Sequence, residues 1–145
     1  MKAELVFGFD TQIAQWVADR IPHMHGGSFG LCVGIGVVSV DKMLAGVVFH
    51  AFQPDYENLQ LSMAAESPLW ARPEIIAGLL HYAFEQNPIF TLYTLTPPEN
   101  KAAHKVNEHI GLKRKTVLPH YFGRKRHAVL RQMTKPEYLK AYAHG

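Results

Sequence analysis

The chain has 145 residues, the length of one domain that can bury a substantial hydrophobic core. Hydrophobic residues make up 48% and charged residues 19%, a composition that excludes intrinsic disorder. The net charge is +3, and Cys32 is the one cysteine, which excludes a disulfide framework and a multi-cysteine zinc site. We therefore expect a single domain over residues 1–145.

The N-terminal region does not resemble a targeting segment. Glu4 and Asp10 flank the first apolar cluster, and no basic stretch precedes it. The segment 21–40 lacks Asp, Glu, Lys and Arg, but its apolar part, 29–40, has 12 residues and is too short to span a bilayer. We expect a cytoplasmic protein that does not engage a membrane.

Positive charge is concentrated in one segment. Residues 1–100 hold 4 Lys/Arg and 10 Asp/Glu, whereas residues 101–131 hold 9 Lys/Arg and Glu108 alone. Such a field suits a phosphate-bearing ligand, an acidic partner or nucleic acid, and a solvated basic surface is the alternative. The absence of an aromatic-interleaved RNA motif and of helix-turn-helix spacing argues against sequence-specific nucleic-acid binding.

The N-terminal half alternates short apolar runs with turn residues. A first strand at 5–9 precedes a helix that Asp10 caps and that ends near Arg20. A loop rich in Gly and His follows. Three β-rich runs separated by short turns then predict an antiparallel meander, at 29–40, 43–52 and 58–65.

The second half changes to helical spacing. Apolar residues predict a helix from Pro73 to Phe84, and 89–95 predicts a strand. Thr96 and Glu99 form a capping box that places Pro97 at the first helical position. That helix ends at Gly111, and the remaining elements are two strands and a helix capped by Thr134, at 112–121, 126–133 and about 135–142.

The order β-α-β-β-β-α-β-α-β-β predicts an α+β domain. Its mixed, mostly antiparallel sheet is flanked by helices, and the step from 58 to 95 forms a parallel β-α-β crossover. Gly30, Gly34 and Gly36 lie inside the strand predicted at 29–40 and open no helix, so we expect them to admit another backbone or a ligand. The nine histidines are scattered, and we predict no metal site.

The stretch after the third meander strand has the features of an anion site. A loop before a helix N-terminus offers unpaired N–H groups and the positive end of the helix dipole. Arg72 adds a formal charge at that place. Asn100 and Ala103 follow at the start of the next helix.

These elements together resemble the GNAT N-acyltransferase superfamily over residues 9–133, and resemble most the acetyltransferase-like proteins of phages and prophages. The residues that carry the resemblance are the Ala-Gly-Val-Val-Phe-His run at 45–50, the stretch 62–68, Trp70-Ala71-Arg72, Tyr82 with Phe84, and Asn100-x-x-Ala103 followed by Gly111-Leu112.

The resemblance implies acetyl-CoA, or another acyl-CoA, as cosubstrate, lying where the third meander strand diverges from the parallel strand beside it. Backbone groups of that strand would pair with the pantetheine arm, and the N–H groups of 72–75 would hold the pyrophosphate. Basic residues of 101–126 would meet the 3′-phosphate. The cofactor-binding residues that it implies are Met63, Ala64, Ala65, Trp70, Ala71, Arg72, Ile75, Asn100 and Ala103.

The chain departs from the family pattern at three positions. Ile75 stands where the phosphate loop of the family has its first glycine, and Asn107 stands where many members have a general-acid Tyr. Gln60 occupies the position at which a carboxylate base would be useful.

The catalytic residues are left unassigned for this reason. Glu66 is the nearest candidate for a base acting through water, and Tyr121 or His120 for an acid that protonates the thiolate. Surface hydrogen bonding is the alternative role for all three. The proposed binding residues have alternative roles as well. Trp70 could be a core contact, Arg72 a solvated charge and Asn100 a helix cap.

The sequence therefore predicts an N-acetyltransferase that acts on an unidentified primary amine, on a small molecule or on a protein, without a metal. A GNAT-fold binding module, such as a phage accessory protein with poor turnover, is the second hypothesis. A basic domain that binds nucleic acid or an acidic partner through 101–131 is the third. A homodimer remains open.

Overall fold

A computed structural model describes residues 2–142. Its elements in chain order are β1 (Glu4–Val6), α1 (Asp10–Arg20), β2 (Cys32–Ser39), β3 (Lys42–Gln53), β4 (Asn58–Ala65), α2 (Pro73–Glu85), β5 (Thr91–Thr96), α3 (Lys101–Ile110), β6 (Lys113–Leu118), β7 (Ala128–Thr134) and α4 (Lys135–Ala141). Short 3-10 turns at Pro22–Met24 and Pro68–Trp70 lie in the loops after α1 and β4. The predicted element order and the predicted bounds of β4 are confirmed.

The strands form one sheet in the order β1-β2-β3-β4-β5-β7-β6. β4 and β5 pair in parallel, and the other neighbours pair antiparallel. α2 connects the two parallel strands. The predicted mixed sheet with one parallel crossover is therefore confirmed.

The parallel pair is short. β4 and β5 are in register from Asn58 opposite Thr91 to Gln60 opposite Tyr93. Beyond that point β4 continues along β3 to Ala65, and β5 continues along β7 to Thr96. The two strands separate, and the sheet has a V-shaped opening in its middle.

Helices cover both faces of the sheet. In β3, Val47 and Phe49 belong to the core that α2 completes, whereas Val48 packs with Ile13 and Val17 of α1. Alternate residues of a strand point to opposite faces, so α2 and α1 lie on opposite sides of the sheet. Burying both faces explains why β2 and β3 are nearly continuous apolar runs.

Strand glycines allow α1 to approach the sheet closely. A Cβ at Gly46 would lie 2.6 Å from Val17 Cγ2, and one at Gly34 would lie 2.8 Å from Ile13 Cβ. Both distances are shorter than real carbon contacts. The predicted close approach is confirmed at Gly34 and Gly36, where the approaching group is a helix, and is wrong for Gly30, which precedes β2 and whose Cβ would have no atom within 4 Å.

Two predicted helix caps are wrong. α3 begins at Lys101, with Asn100 as N-cap and its Oδ1 accepting from the Ala103 N–H at 3.2 Å, so Thr96 and Glu99 form no capping box. The preceding turn closes through the Asn100 N–H and Pro97 C=O at 3.1 Å, which delays the helix. Asp10 does not cap α1, because its carboxylate accepts from the Gly34 N–H of β2 at 3.0 Å.

The third predicted cap is confirmed. Thr134 and Glu137 form a capping box at the start of α4, and the Thr134 N–H donates to Glu137 Oε1 at 2.9 Å. The first strand is shorter than predicted. β1 ends at Val6, since Gly8 turns the chain with a φ of +89°.

We predict that Gly46→Ala lowers the free energy of unfolding by about 1–3 kcal/mol, because the new methyl group overpacks the contact with fully buried Val17. Gly78→Ala in α2 is the matched control. Its Cβ meets only the end of the Leu5 side chain, at 2.7 Å, which can move, and alanine favours a helix by about 1 kcal/mol. Denaturant titration that gives equal losses for both variants would contradict this packing.

Candidate functional site

A cleft of about 940 Å³ occupies the opening between β4 and β5. Residues 60–66 of β4 and its extension form its floor together with 94–97 of β5. The loop after α1, α3 as far as Asn107 and the turn between β6 and β7 form its walls. His50 of β3 and Trp70 after β4 complete the lining, so the cleft collects residues from distant parts of the chain.

The backbone of β4 alternates between β3 and the cleft. The Glu66 N–H donates to Leu44 C=O at 2.8 Å, and the register places Ala64 opposite Gly46 and Ser62 opposite Val48. Hydrogen-bonded pairs recur at every second residue of an antiparallel ladder, so residues 62, 64 and 66 direct their backbone groups to β3. The backbone groups of Leu61, Met63 and Ala65 then point away from β3, towards β5 and the cleft.

These cleft-facing groups lie beyond the point where β5 pairs with β4. The last parallel pair in the described chain is Gln60 with Tyr93, and this pair uses the Leu61 N–H, so the C=O of 61 and both backbone groups of 63 and 65 face the opening. Such a row is an unfilled strand edge inside the sheet. An extended ligand with amide groups can pair with it as a strand would.

Six of the nine predicted cofactor-binding residues line the cleft: Met63, Ala64, Ala65, Trp70, Asn100 and Ala103. Ala71, Arg72 and Ile75 lie at the entry to α2, outside the lining. The Ile75 side chain is buried in the core beneath α2, so it supports the helix start. Trp70 is 1% exposed and belongs both to that core and to the cleft wall.

Arg72 is held at the start of α2. Its C=O accepts from the Ile76 N–H at 2.9 Å as the helix N-cap, and its Nε donates to Leu69 C=O at 3.3 Å. The first-turn N–H groups of Glu74 and Ile75 have no acceptor within the helix. A guanidinium beside these groups makes this end of α2 suitable for an anion.

Asn100 is a helix cap that also lines the cleft. Its Oδ1 binds the Ala103 N–H, so the cap uses the amide oxygen and leaves the NH2 group as a donor on the cleft wall. Deeper in the cleft, Asn107 is 3% exposed and its Nδ2 donates to Thr94 Oγ1 at 3.5 Å. Both asparagines come from α3 and face β5.

A polar pair that the sequence analysis did not identify lies on the floor of the cleft. His50 Nε2 and Ser62 Oγ are 2.8 Å apart, and the Phe29 ring centroid lies 4.7 Å from that of His50. Burial lowers the pKa of His50 to about 4, so the imidazole is neutral at pH 7. Only the register of β3 against β4 brings these side chains together, and no local motif indicates it.

The three candidates for acid and base are placed differently. Glu66 and Tyr121 line the cleft, whereas His120 does not and accepts from the Lys125 N–H at 2.8 Å. Arg20 Nε and Nη2 both donate to Glu66 Oε1, at 3.3 and 2.8 Å. The Glu66 carboxylate is therefore neutralised by a partner that also lies 3.7 Å above the Trp16 ring.

Across residues 2–142, no three His, Cys, Asp or Glu side chains are grouped in a way that could hold a metal ion. No helix of this described stretch is long and apolar enough to cross a bilayer.

No family model and no curated protein matches the chain. Solved structures do match it. A structure provisionally assigned as an acetyltransferase shares 23% identity, with a TM-score of 0.68 over 84% of this chain and 67% of that one. Spermidine N-acetyltransferase from Vibrio cholerae, in complex with CoA and spermine, shares 13% identity, with a TM-score of 0.71 over 94% and 98%.

A ribosomal-protein alanine acetyltransferase from Vibrio fischeri gives a TM-score of 0.69 at 9% identity, over 95% of this chain and 96% of that one. The chain has the GNAT fold. At these identities the likeness establishes the arrangement of strands and helices, including the parallel pair that opens into a cleft. The fold does not establish the reaction, which depends on the residues that line the cleft.

We predict that His50 makes the folded state less stable in acid. The unfolded chain binds a proton near pH 6.5 and the folded one only near pH 4, so stability is lost as the pH falls from 6.5 to 4. Comparing denaturant unfolding of wild type and His50→Asn at several pH values isolates this contribution. Equal pH dependence of the two proteins would show that the ring is solvated and protonates normally.

Proposed function

We propose that the chain is an N-acyltransferase that moves an acyl group, in the simplest case acetyl, from coenzyme A to a primary amine. The observation that carries this proposal is the unfilled strand edge formed inside the cleft by the Leu61 C=O and the backbone of Met63 and Ala65. The CoA complex of a structural neighbour with the same fold supports it.

In this proposal the pantetheine arm lies along β4. Its two amide groups would pair with the backbone of Met63 and Ala65, as an added strand does. Ala64 and Ala103 leave the two sides of the cleft free of bulky side chains, and Trp70 closes the end next to α2. The arm would then run from the start of α2 towards Gln60 and Tyr93, the last residues at which β4 and β5 pair.

The pyrophosphate would rest at the start of α2. The N–H of Ile75 remains usable although its side chain is buried, and Arg72 and the turn at Ala71 stand beside it. Asn100 would donate from its NH2 group to the arm across the cleft. Basic residues of α3 and of the segment after it would meet the 3′-phosphate.

The transfer forms a C–N bond between the amine and the thioester carbonyl carbon and breaks the C–S bond, while the amine loses a proton and the thiolate gains one. The chain would contribute mainly by holding the amine close to the carbonyl, which supplies much of the rate. Ser62 and Gln60 offer oxygens on the floor of the cleft for the amine. Tyr121 is a half-exposed donor on its wall.

The second candidate is a GNAT-fold binding module with little turnover. The pairing of Glu66 with Arg20 favours it, because the nearest carboxylate is not a free base. The fully exposed start of β6, with Lys113, Arg114 and Lys115, favours the third candidate, a basic domain for an acidic partner. A phage or prophage origin, a cytoplasmic location and a homodimer remain parts of the proposal.

We predict that acetyl-CoA raises the thermal stability of the protein. A ligand that binds only the folded state adds about 2.7 kcal/mol at a hundredfold excess over its Kd. Thermal unfolding monitored by circular dichroism, with acetyl-CoA and with AMP as a control, measures the effect. The absence of a shift at millimolar acetyl-CoA would remove the cofactor assignment.

We predict that Arg72→Ala and Asn100→Asp each weaken CoA binding by roughly 1–3 kcal/mol. Aspartate retains the oxygen that caps α3 but replaces the NH2 donor, so Asn100→Asp tests ligand binding without removing the cap. Calorimetric titration gives the affinities, and Lys42→Ala, at the exposed turn between β2 and β3 and outside the cleft lining, is the charge control. Unchanged affinity in both site variants, with intact folds, would mean that the cofactor lies elsewhere.

Turnover separates an enzyme from a binding module. Thiol release from acetyl-CoA, measured with a panel of primary amines, should exceed the hydrolysis rate with at least one amine. CoA binding without amine-dependent thiol release from any member would favour the binding module.

A further inference from the structure

One part of the cleft lining consists mainly of aromatic and imidazole side chains. We call it the acceptor half, and define it by Phe29, His50, Ser62, Tyr121, Phe122 and Arg126. The His23 and Phe122 ring centroids are 4.1 Å apart, and those of Tyr121 and Phe122 are 5.1 Å apart. The loop after α1 thereby meets the turn between β6 and β7, and encloses a space walled by flat side chains.

Rings on both walls favour a flat ligand. Aromatic pairs at these separations contribute beyond their buried area, and imidazole and phenyl faces accept stacked or tilted rings. Phe29 against His50, on the floor side, adds a third ring pair at 4.7 Å. A flexible aliphatic chain would gain little from such walls.

The charges of the acceptor half do not suit a polycation. Two carboxylates line the rest of the cleft, Glu66 and Glu99, and Glu66 receives two hydrogen bonds from Arg20 that offset its charge. Within the acceptor half, Arg126 brings a positive charge to the turn between β6 and β7. The partly buried His50 is neutral and supplies no negative charge. Arg126 is therefore the one charged side chain of the acceptor half as defined, and its sign is the opposite of what a polyamine needs.

We propose that the acceptor is a ring-bearing primary amine that carries an acidic group, a carboxylate or a phosphate, and that Arg126 binds the acidic group. The inference rests on the proposed function, whose amine it specifies. The ring lies between the walls of Phe29 and Phe122, and the amino group reaches the oxygens of Ser62 and Gln60 on β4. A polyamine, the ligand of one structural neighbour, is disfavoured.

Two pairs of probes separate the sources of the acidic group. Phenylalanine and phenethylamine share a skeleton and differ by a carboxylate, and O-phosphotyramine and tyramine differ by a phosphate. Spermidine represents the polycations. Binding to the free protein is measured by calorimetry, and acetyl transfer by thiol release from acetyl-CoA.

We expect at least one acidic probe to bind about tenfold or more tightly than its partner without the acidic group, and more tightly than spermidine. Arg126→Gln should abolish that difference and leave binding of the partner without the acidic group unaffected. Arg124→Gln removes the same charge from the same turn, outside the cleft lining, and should change nothing. Equal losses in both variants would indicate a general field and would overturn the role of Arg126.

Tighter binding of spermidine than of all four ring-bearing amines, or no binding of any ring-bearing amine at millimolar concentration, would overturn the inference. Binding in the expected order without acetyl transfer would instead contradict the proposed function and leave the ligand class supported. The two failures are therefore distinguishable.

A gain-of-function variant tests the charge argument separately. Arg20→Gln removes the guanidinium that offsets the charge of the half-exposed Glu66 carboxylate in the cleft. Spermidine should then bind several-fold more tightly than to wild type, because a free carboxylate attracts it. Unchanged spermidine binding would contradict the claim that the Arg20 pair sets the charge preference.

Discussion

The separation of β4 from β5 after Gln60 and Tyr93 is the constraint on which the site depends. Beyond this point β4 remains paired with β3 and β5 remains paired with β7, but β4 and β5 no longer pair with each other. Because both outer ladders continue to the strand ends, the strands cannot rejoin without breaking hydrogen bonds elsewhere. The cost is a row of unfilled backbone groups, which a folded protein normally avoids and which a ligand with amide groups can satisfy.

Alternate residues of β4 contribute different groups to the cleft. Odd residues of β4 direct backbone groups into the opening and place Leu61 and Met63 against the core with Trp70. Even residues direct Gln60 and Ser62 to the other face, where the partly buried His50 joins them. One strand thus supplies the seat for an extended arm and a polar floor beside it, and a shift of one residue in register would exchange the two.

Features set by neighbours in sequence could be predicted, and features set by the packing of distant segments could not. The bounds of β4 and the Thr134 cap follow from local pattern, and the family resemblance located Met63 and Asn100 on the cleft. The start of α3 was misplaced because the turn after Pro97 competes with the capping box. The Arg20–Glu66 pair joins residues 46 positions apart, and no spacing rule indicates it.

Amide hydrogen exchange tests the central claim most directly, because adjacent residues of β4 carry opposite expectations. In the free protein the N–H groups of Met63 and Ala65 should exchange rapidly, and those of Ser62 and Ala64, which bond to β3, should exchange slowly. Saturating acetyl-CoA should slow the first pair and leave the second unchanged. Equal protection of all four in the free protein, or no slowing of Met63 and Ala65 with acetyl-CoA, would contradict the account.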